Sequence, residues 1–116
     1  MPANKTFGDF LDEVAKTDST EGRIWLEEFK KMAPSILRTM PLRPGLVIIF
    51  THDIVGLFQE RMSEIGTDLL WQSTLRRGYA FLHHIEAVAE RYDVDVHDIV
   101  NQPITHVEAV ARAQAS

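Results

Sequence analysis

Histidines and carboxylates are the side chains most able to do chemistry in this chain of 116 residues, which contains no cysteine. His83 and His84 are adjacent, and adjacent side chains on a helix point about 100° apart, so they cannot chelate one ion together. A helical zinc pair needs His at i and i+4, and a helix-bundle di-iron site needs Glu-x-x-His; neither spacing occurs. Glu86 and Glu90 follow His83 on one helical face, where we expect a solvated histidine beside acids and no metal.

Two His-Asp pairs, His52-Asp53 and His97-Asp98, resemble the dyads of helical metal-dependent phosphohydrolases. That chemistry also needs a further histidine upstream, and none precedes His52. The simpler interpretation places Asp53 near a helix N-terminus, where a carboxylate is favourable. No serine lies in a Gly-x-Ser-x-Gly elbow, and the six glycines form no phosphate-binding loop. We expect no catalytic residue, metal or cofactor; a His/carboxylate metal-dependent enzyme is the least favoured alternative.

The segment 88–99 has the spacing of a helix-turn-helix core, with Ala89 at the small packing position, Val94 in the turn and Ile99 in the second helix. The second helix, however, would present Asp95 and Asp98 to DNA phosphates, which repel carboxylates. The same spacing also suits two helices packing at a corner. A DNA-binding regulator is therefore an alternative, and nucleic acid is not the expected partner.

The polar side of the stretch 67–92 offers the best candidate for a binding surface. Its side chains recur at i, i+4, i+7, i+11, i+14 and i+18 and form one ridge: Gln72, Arg76, Tyr79, His83, Glu86 and Glu90. Tyrosine and arginine are enriched where binding energy concentrates, and Tyr79 is expected to lie well away from the core. The alternative is an ordinary solvated face with charge pairs one turn apart.

The ridge needs a long helix to present it, and residues 67–92 have the required pattern. Apolar residues gather on the opposite side: Leu70, Trp71, Leu75, Phe81, Leu82, Ile85, Val88, Ala89 and Tyr92. Gly78 lies on the same apolar side, where a neighbouring backbone could approach closely. Gly66 and Thr67 are placed to end one helix and cap the next. The sequence therefore predicts a long central helix whose apolar face needs several partners.

Shorter amphipathic segments can supply those partners. Residues 7–16 form a helix capped by Thr6, and a second helix begins with Asp18 as its cap. Met32, Ile36 and Met40 would continue the apolar face of that second helix, although Pro34 predicts a kink or a restart. In the last part of the chain, Asp95 and Asp98 can open a short helix that Pro103 ends, and Thr105 with Glu108 forms a capping box.

The run 46–50 is ambiguous, since it reads either as the start of a buried helix or as a short buried strand. The helix is favoured because no convincing second strand is present to pair with it. We expect Thr51 to cap the amphipathic helix that follows. The fold class is therefore all-α: a compact bundle of five to seven helices in a single domain, 1–116, with a frayed tail from about residue 113.

Charge and composition favour binding over catalysis. The net charge is −5, and a weakly basic middle, 29–51, lies between the acidic segments 7–28 and 86–108. This distribution is a poor electrostatic footprint for nucleic acid. No apolar run approaches the length of a membrane span, so a cytoplasmic protein is expected. The sequence predicts a non-enzymatic protein-binding module: a small acidic cytoplasmic regulator, adaptor or inhibitor that binds another protein or forms a homodimer.

Overall fold

The computed structural model describes residues 5–65, 71–102 and 104–115. Within these ranges the chain forms six α-helices and one 3₁₀ segment, with no β-strand. The elements are α1 (Phe7–Ala15), α2 (Thr20–Met32), the 3₁₀ segment (Ser35–Thr39), α3 (Pro44–Ile65), α4 (Trp71–Arg91), α5 (His97–Asn101) and α6 (His106–Ala115). The predicted all-α bundle is confirmed.

The first helix begins as the sequence predicts. Thr6 Oγ1 accepts a hydrogen bond from the amide of Asp9, and the Asp9 carboxylate accepts one from the amide of Thr6. This reciprocal pair satisfies two amides that the helix itself leaves free, and the hydrogen bonds to Thr6 lower the pKa of Asp9. The helix buries its apolar face, which comprises Phe7, Phe10, Leu11 and Val14.

The cap of α2 differs from the prediction. Ser19, not Asp18, caps the helix: its Oγ accepts a hydrogen bond from the amide of Gly22 at 3.0 Å. The same hydroxyl lies 3.4 Å from the carbonyl oxygen of Arg77, so it also contacts α4. Ser19 is only 9% exposed, whereas Asp18 is exposed to solvent.

The expected break at Pro34 is confirmed, because α2 ends at Met32 and a 3₁₀ segment follows. The apolar face already reaches solvent at Met32, the last residue of α2, which is 64% exposed. It does not resume after the break, since Ile36 and Met40 are 68% and 36% exposed. Ala33 and Pro34 are extended, and a 3₁₀ helix has three residues per turn. The two extended residues and the tighter 3₁₀ turn each rotate the side chains after residue 34 away from the helical face that α2 buries.

The ambiguous run 46–50 is helical, so the strand alternative is wrong. Pro44 is the first residue of α3, a position that tolerates proline because its missing amide would be unpaired there anyway. Thr51 is not a cap: it lies buried inside α3, and its Oγ1 donates a hydrogen bond to the carbonyl of Val47 at 2.8 Å. The predicted end and cap at Gly66 and Thr67 lie outside the described residues.

Two long helices, not one, occupy the centre of the bundle. The 21 described residues of α4 confirm the predicted long helix, but α3 has 22 and packs against α2, α4, α5 and α6. The apolar face of α4 is buried at Phe81, Leu82, Ile85, Val88 and Ala89. The side chain of Trp71 lies outside the described part of the chain.

Aromatic rings fill the space between the helices. The ring of Phe50 contacts those of Phe7, Phe10 and Phe29 edge-on, at centroid distances of 6.0, 5.6 and 4.9 Å. Such edge-to-face pairs are favourable beyond the area that they bury. Gly78 allows the close approach that the sequence predicts, although the neighbours are the rings of Phe58 and Trp25 and not a backbone.

The last two helices complete the bundle. The amide of His97 donates to the Asp95 carboxylate as α5 begins, and the amide of Glu108 donates to Thr105 Oγ1 as α6 begins. The helix α6 lies against α3, with Ala109 buried. It extends to Ala115, and fraying from about residue 113 stays a prediction. No helix in the described ranges is both long enough and apolar enough to cross a membrane.

Candidate functional site

An open cavity of about 600 Å³ lies between the end of α2, the 3₁₀ segment and α3. We call it the apolar groove. The rings of Phe7, Phe29 and Phe50 reach it from the core, and half-buried Leu37 and Leu57 line it nearer the surface. Its size is within the range of small-molecule sites, roughly 300–1,000 Å³. The groove is thus a concave, mainly apolar surface of a size that suits a small molecule.

Two carboxylates line the apolar groove, and Asp53 is the more buried of them, since Glu60 is exposed. Asp53 is half-buried, and desolvation raises its pKa above the ordinary value of 3.8, while the neighbouring imidazoles of His52 and His106 act in the opposite direction. The rings of these two histidines lie 5.7 Å apart. Asp53 is the tenth residue of α3, so its predicted place near a helix N-terminus is wrong. The main influence on the pKa of Asp53 is therefore its burial in the groove wall, and not a helix N-terminus.

A glycine opens the groove further. Gly56 lines it from the middle of α3, and a Cβ built there would meet no other atom within 4 Å. Glycine costs a helix interior about 1 kcal/mol relative to alanine. The missing side chain therefore leaves usable space beside Asp53. The sequence did not indicate that Gly56 would line a groove, because the opposite wall of the groove comes from the end of α2 and the 3₁₀ segment, which are distant in the chain.

The ridge predicted on α4 is present as an exposed row, apart from Gln72, whose side chain lies outside the described residues. Arg76, His83 and Glu90 are exposed, and Tyr79 is 46% exposed. Tyr79 is nearer the core than predicted, since its ring lies 5.1 Å from that of Phe58. We refer to these described residues, together with Glu86, as the α4 ridge.

Glu86 joins the α4 ridge to α5. Its Oε1 lies 3.5 Å from His83 Nδ1 and its Oε2 lies 2.7 Å from His97 Nδ1. The hydrogen bond and the negative charge of Glu86 raise the pKa of His97 above its ordinary value of 6.5. The sequence predicted the contact with His83, one turn away, but missed His97. Only the turn between α4 and α5 brings that residue to Glu86.

The other histidine pairings do not build a metal centre. His84 points away from His83, and its Nε2 lies 3.1 Å from the carbonyl oxygen of Val14 on α1. Within residues 5–65, 71–102 and 104–115, no three histidine, aspartate or glutamate side chains converge as metal ligands. His97 Nδ1 also lies 3.2 Å from the side-chain amide of Asn101, so the described histidines contact carboxylates, carbonyl or amide groups, or each other.

The turn after α4 has the packing of a helix-turn-helix corner. Ala89, Val94 and Ile99 are buried, as that motif requires. Asp93 has φ of 61°, the left-handed conformation for which glycine is usual. The second helix, α5, has only five residues, and Asp95 and Asp98 beside it are exposed. The corner thus packs two helices together while presenting an acidic surface.

Comparisons of the chain with protein-family models, with curated proteins and with solved structures found no match. The functional argument therefore depends on two surfaces of this fold. One is the α4 ridge, and the other is the apolar groove.

Proposed function

We propose that this protein is a non-enzymatic protein-binding module, a small acidic cytoplasmic regulator, adaptor or inhibitor that contacts its partner protein through the α4 ridge. The observation that carries the proposal is the position of Tyr79. Tyr79 is 46% exposed, yet its ring packs against the buried ring of Phe58 at a centroid distance of 5.1 Å. A supported aromatic ring loses little conformational entropy on binding, which favours tyrosine at the centre of interfaces.

Charge arranged around Tyr79 supports the same proposal. Arg76 lies one turn earlier on the same exposed face, and no ion pair joins it to another described residue. Arginine and tyrosine are both enriched among the residues that dominate binding energy, and an arginine without an ion pair to a described residue has donors to offer a partner. Glu86 and Glu90 follow towards the C-terminal end of α4. The ridge therefore runs from basic to acidic, a polarity that would orient a partner of complementary charge.

The acidic corner beside the ridge argues for protein over nucleic acid as the partner. Asp93 and Asp95 are exposed there and line one cleft with Glu86 and Glu90, and Asp98 is exposed on α5. Carboxylates in this density would repel phosphates, whereas a protein surface with lysine or arginine would be attracted. A second copy of the chain is the alternative partner, since the ridge carries both signs of charge.

The test is capture of partners by the immobilised protein from a lysate of its source cells, with solution mass measured by light scattering. The double variant Arg76→Glu with Tyr79→Ala is expected to lose the bound partner or the dimer while keeping the wild-type circular dichroism spectrum. A matched control, Lys31→Glu with Ile24→Ala, changes one exposed base and one exposed apolar residue on α2. An identical partner set and mass for wild type and the ridge variant would overturn the proposal.

A further inference from the structure

We propose that the apolar groove is a binding site for a small lipophilic cation, an alkylamine-like molecule whose chain lies along Leu37 and Leu57 and whose ammonium group pairs with Asp53. The groove shares no residue with the α4 ridge. This second binding activity is therefore independent of the proposed protein partner.

The shape of the groove favours a flexible apolar chain. Aliphatic side chains from three elements line it: Ala33 at the end of α2, Leu37 in the 3₁₀ segment, and Leu46, Ile49 and Leu57 in α3. Met32 stands at its edge with 64% of its surface exposed. Methionine adapts to ligands of irregular shape because its side chain is unbranched and polarisable. Covering these side chains would remove exposed apolar surface from water.

The charged side chains around the groove favour a positively charged head group in the ligand. The carboxylates of Asp53 and Glu60 line it, and His52 lies beside Asp53 with the ring of His106 behind. Among the residues that the structure describes, no lysine or arginine lines the groove; Lys30 and Arg38 line the neighbouring cleft instead. A half-buried carboxylate without an ion pair to a described residue is costly, and a bound ammonium group would offset that cost.

Other ligand classes fit the charges less well. A fatty acid would bring its carboxylate towards Asp53 and Glu60, and like charges at short range in a poorly solvated site repel strongly. A neutral alcohol or alkane could fill the apolar part but would leave Asp53 unpaired. The arrangement therefore favours a positive head group over a neutral or negative one of equal chain length.

The first experiment is a calorimetric titration of the intact protein at pH 7 and below micelle-forming concentrations with decylammonium, decanol and decanoate. The affinity for decylammonium is expected to be about tenfold or more higher than that for decanol, because a hydrogen bond to a charged group typically contributes that much to binding. Affinity should rise about fourfold for each methylene added from hexyl- to decylammonium. Equal affinity for decylammonium and decanol, or no saturable binding, would overturn the proposal.

Variants then locate the site. Asp53→Asn keeps the side-chain shape and should abolish the preference for decylammonium over decanol, whereas Glu64→Gln, on α3 outside the groove, should preserve it. Gly56→Leu places a side chain in open space and should block both ligands without harming the fold. Retained preference in Asp53→Asn, or unchanged binding in Gly56→Leu, would refute the assignment. The Arg76→Glu, Tyr79→Ala variant should bind decylammonium normally, which separates the two proposals.

Discussion

The Nδ1 atom of His97 lies 2.7 Å from Oε2 of Glu86, and this contact joins the short helix α5 to α4. Both helices pack against the core through apolar residues, including Ile85 and Ile99. The polar contact is on the surface, with the His97 side chain 64% exposed, and it links the five residues of α5 to the longer helix. Because Glu86 raises the pKa of His97, the contact is expected to depend on pH.

The stability of the corner should fall as the pH rises. Glu86 raises the pKa of His97, so the folded protein holds that proton more tightly than the unfolded chain does. The resulting stabilisation is fully present below the ordinary pKa of 6.5 and is lost as the pH rises through the raised pKa of the folded state. An NMR titration of the His97 ring measures that pKa directly.

Substitution of Glu86 tests the cause of the shift. Glu86→Gln should move the pKa of His97 down towards 6.5, because it removes the charge and the strongest hydrogen-bond acceptor. Glu90→Gln is the control, since Glu90 lies one turn further along α4 and does not contribute to the shift. An unchanged pKa in Glu86→Gln would show that the pair does not form in solution.

Two glycines in the long helices should respond in opposite ways to alanine. Gly78→Ala places a Cβ against the rings of Phe58 and Trp25, and overpacking of this kind costs about 1–3 kcal/mol. In Gly56→Ala the new Cβ has no neighbouring atom within 4 Å. This substitution should stabilise the protein by up to about 1 kcal/mol, because alanine favours the helical conformation more than glycine does. Urea denaturation gives both free energies of unfolding. Equal effects of the two substitutions would contradict the packing at Gly78.

The cap of α2 can be identified by a pair of alanine substitutions. Ser19→Ala should destabilise the protein by about 1 kcal/mol or more, because it removes the acceptor for the Gly22 amide and the contact with Arg77. Asp18→Ala should change the free energy of unfolding by less than about 0.5 kcal/mol, as exposed sites usually do. If thermal or urea unfolding showed a larger loss of stability for Asp18→Ala than for Ser19→Ala, Asp18 and not Ser19 would be the cap.

The left-handed residue in the α4–α5 turn gives a further prediction. Asp93→Val should destabilise the protein by about 1–2 kcal/mol, since a β-branched residue is strained at φ of 61°. Asp93→Gly should be close to neutral, because relief of the conformational cost is offset by greater freedom of the unfolded chain. The two variants are compared by their melting temperatures. A tolerated valine would show that the turn adopts another conformation.

Local patterns in the chain determine most of the secondary structure. The cap of α1 at Thr6 and the break at Pro34 both follow from residues within a few positions of each other. The apolar stripe around Leu82 and Ile85 likewise predicts which side of α4 is buried. These features were predictable because helix periodicity and capping depend on neighbouring residues alone.

Only the tertiary structure decided the sites. Asp53 became a groove carboxylate because α3 runs without a break from Pro44 through Thr51 and lines one cavity with the end of α2 and the 3₁₀ segment. The pattern of residues 46–50 favoured a helix, but no local pattern indicated which elements would meet beside Asp53. His97 reached Glu86 because the turn at Asp93 folds α5 against α4. The sequence determined which surfaces each helix could bury, whereas the crossing of distant helices determined which polar groups came together. That crossing depends on how the aromatic side chains fill the core as a whole.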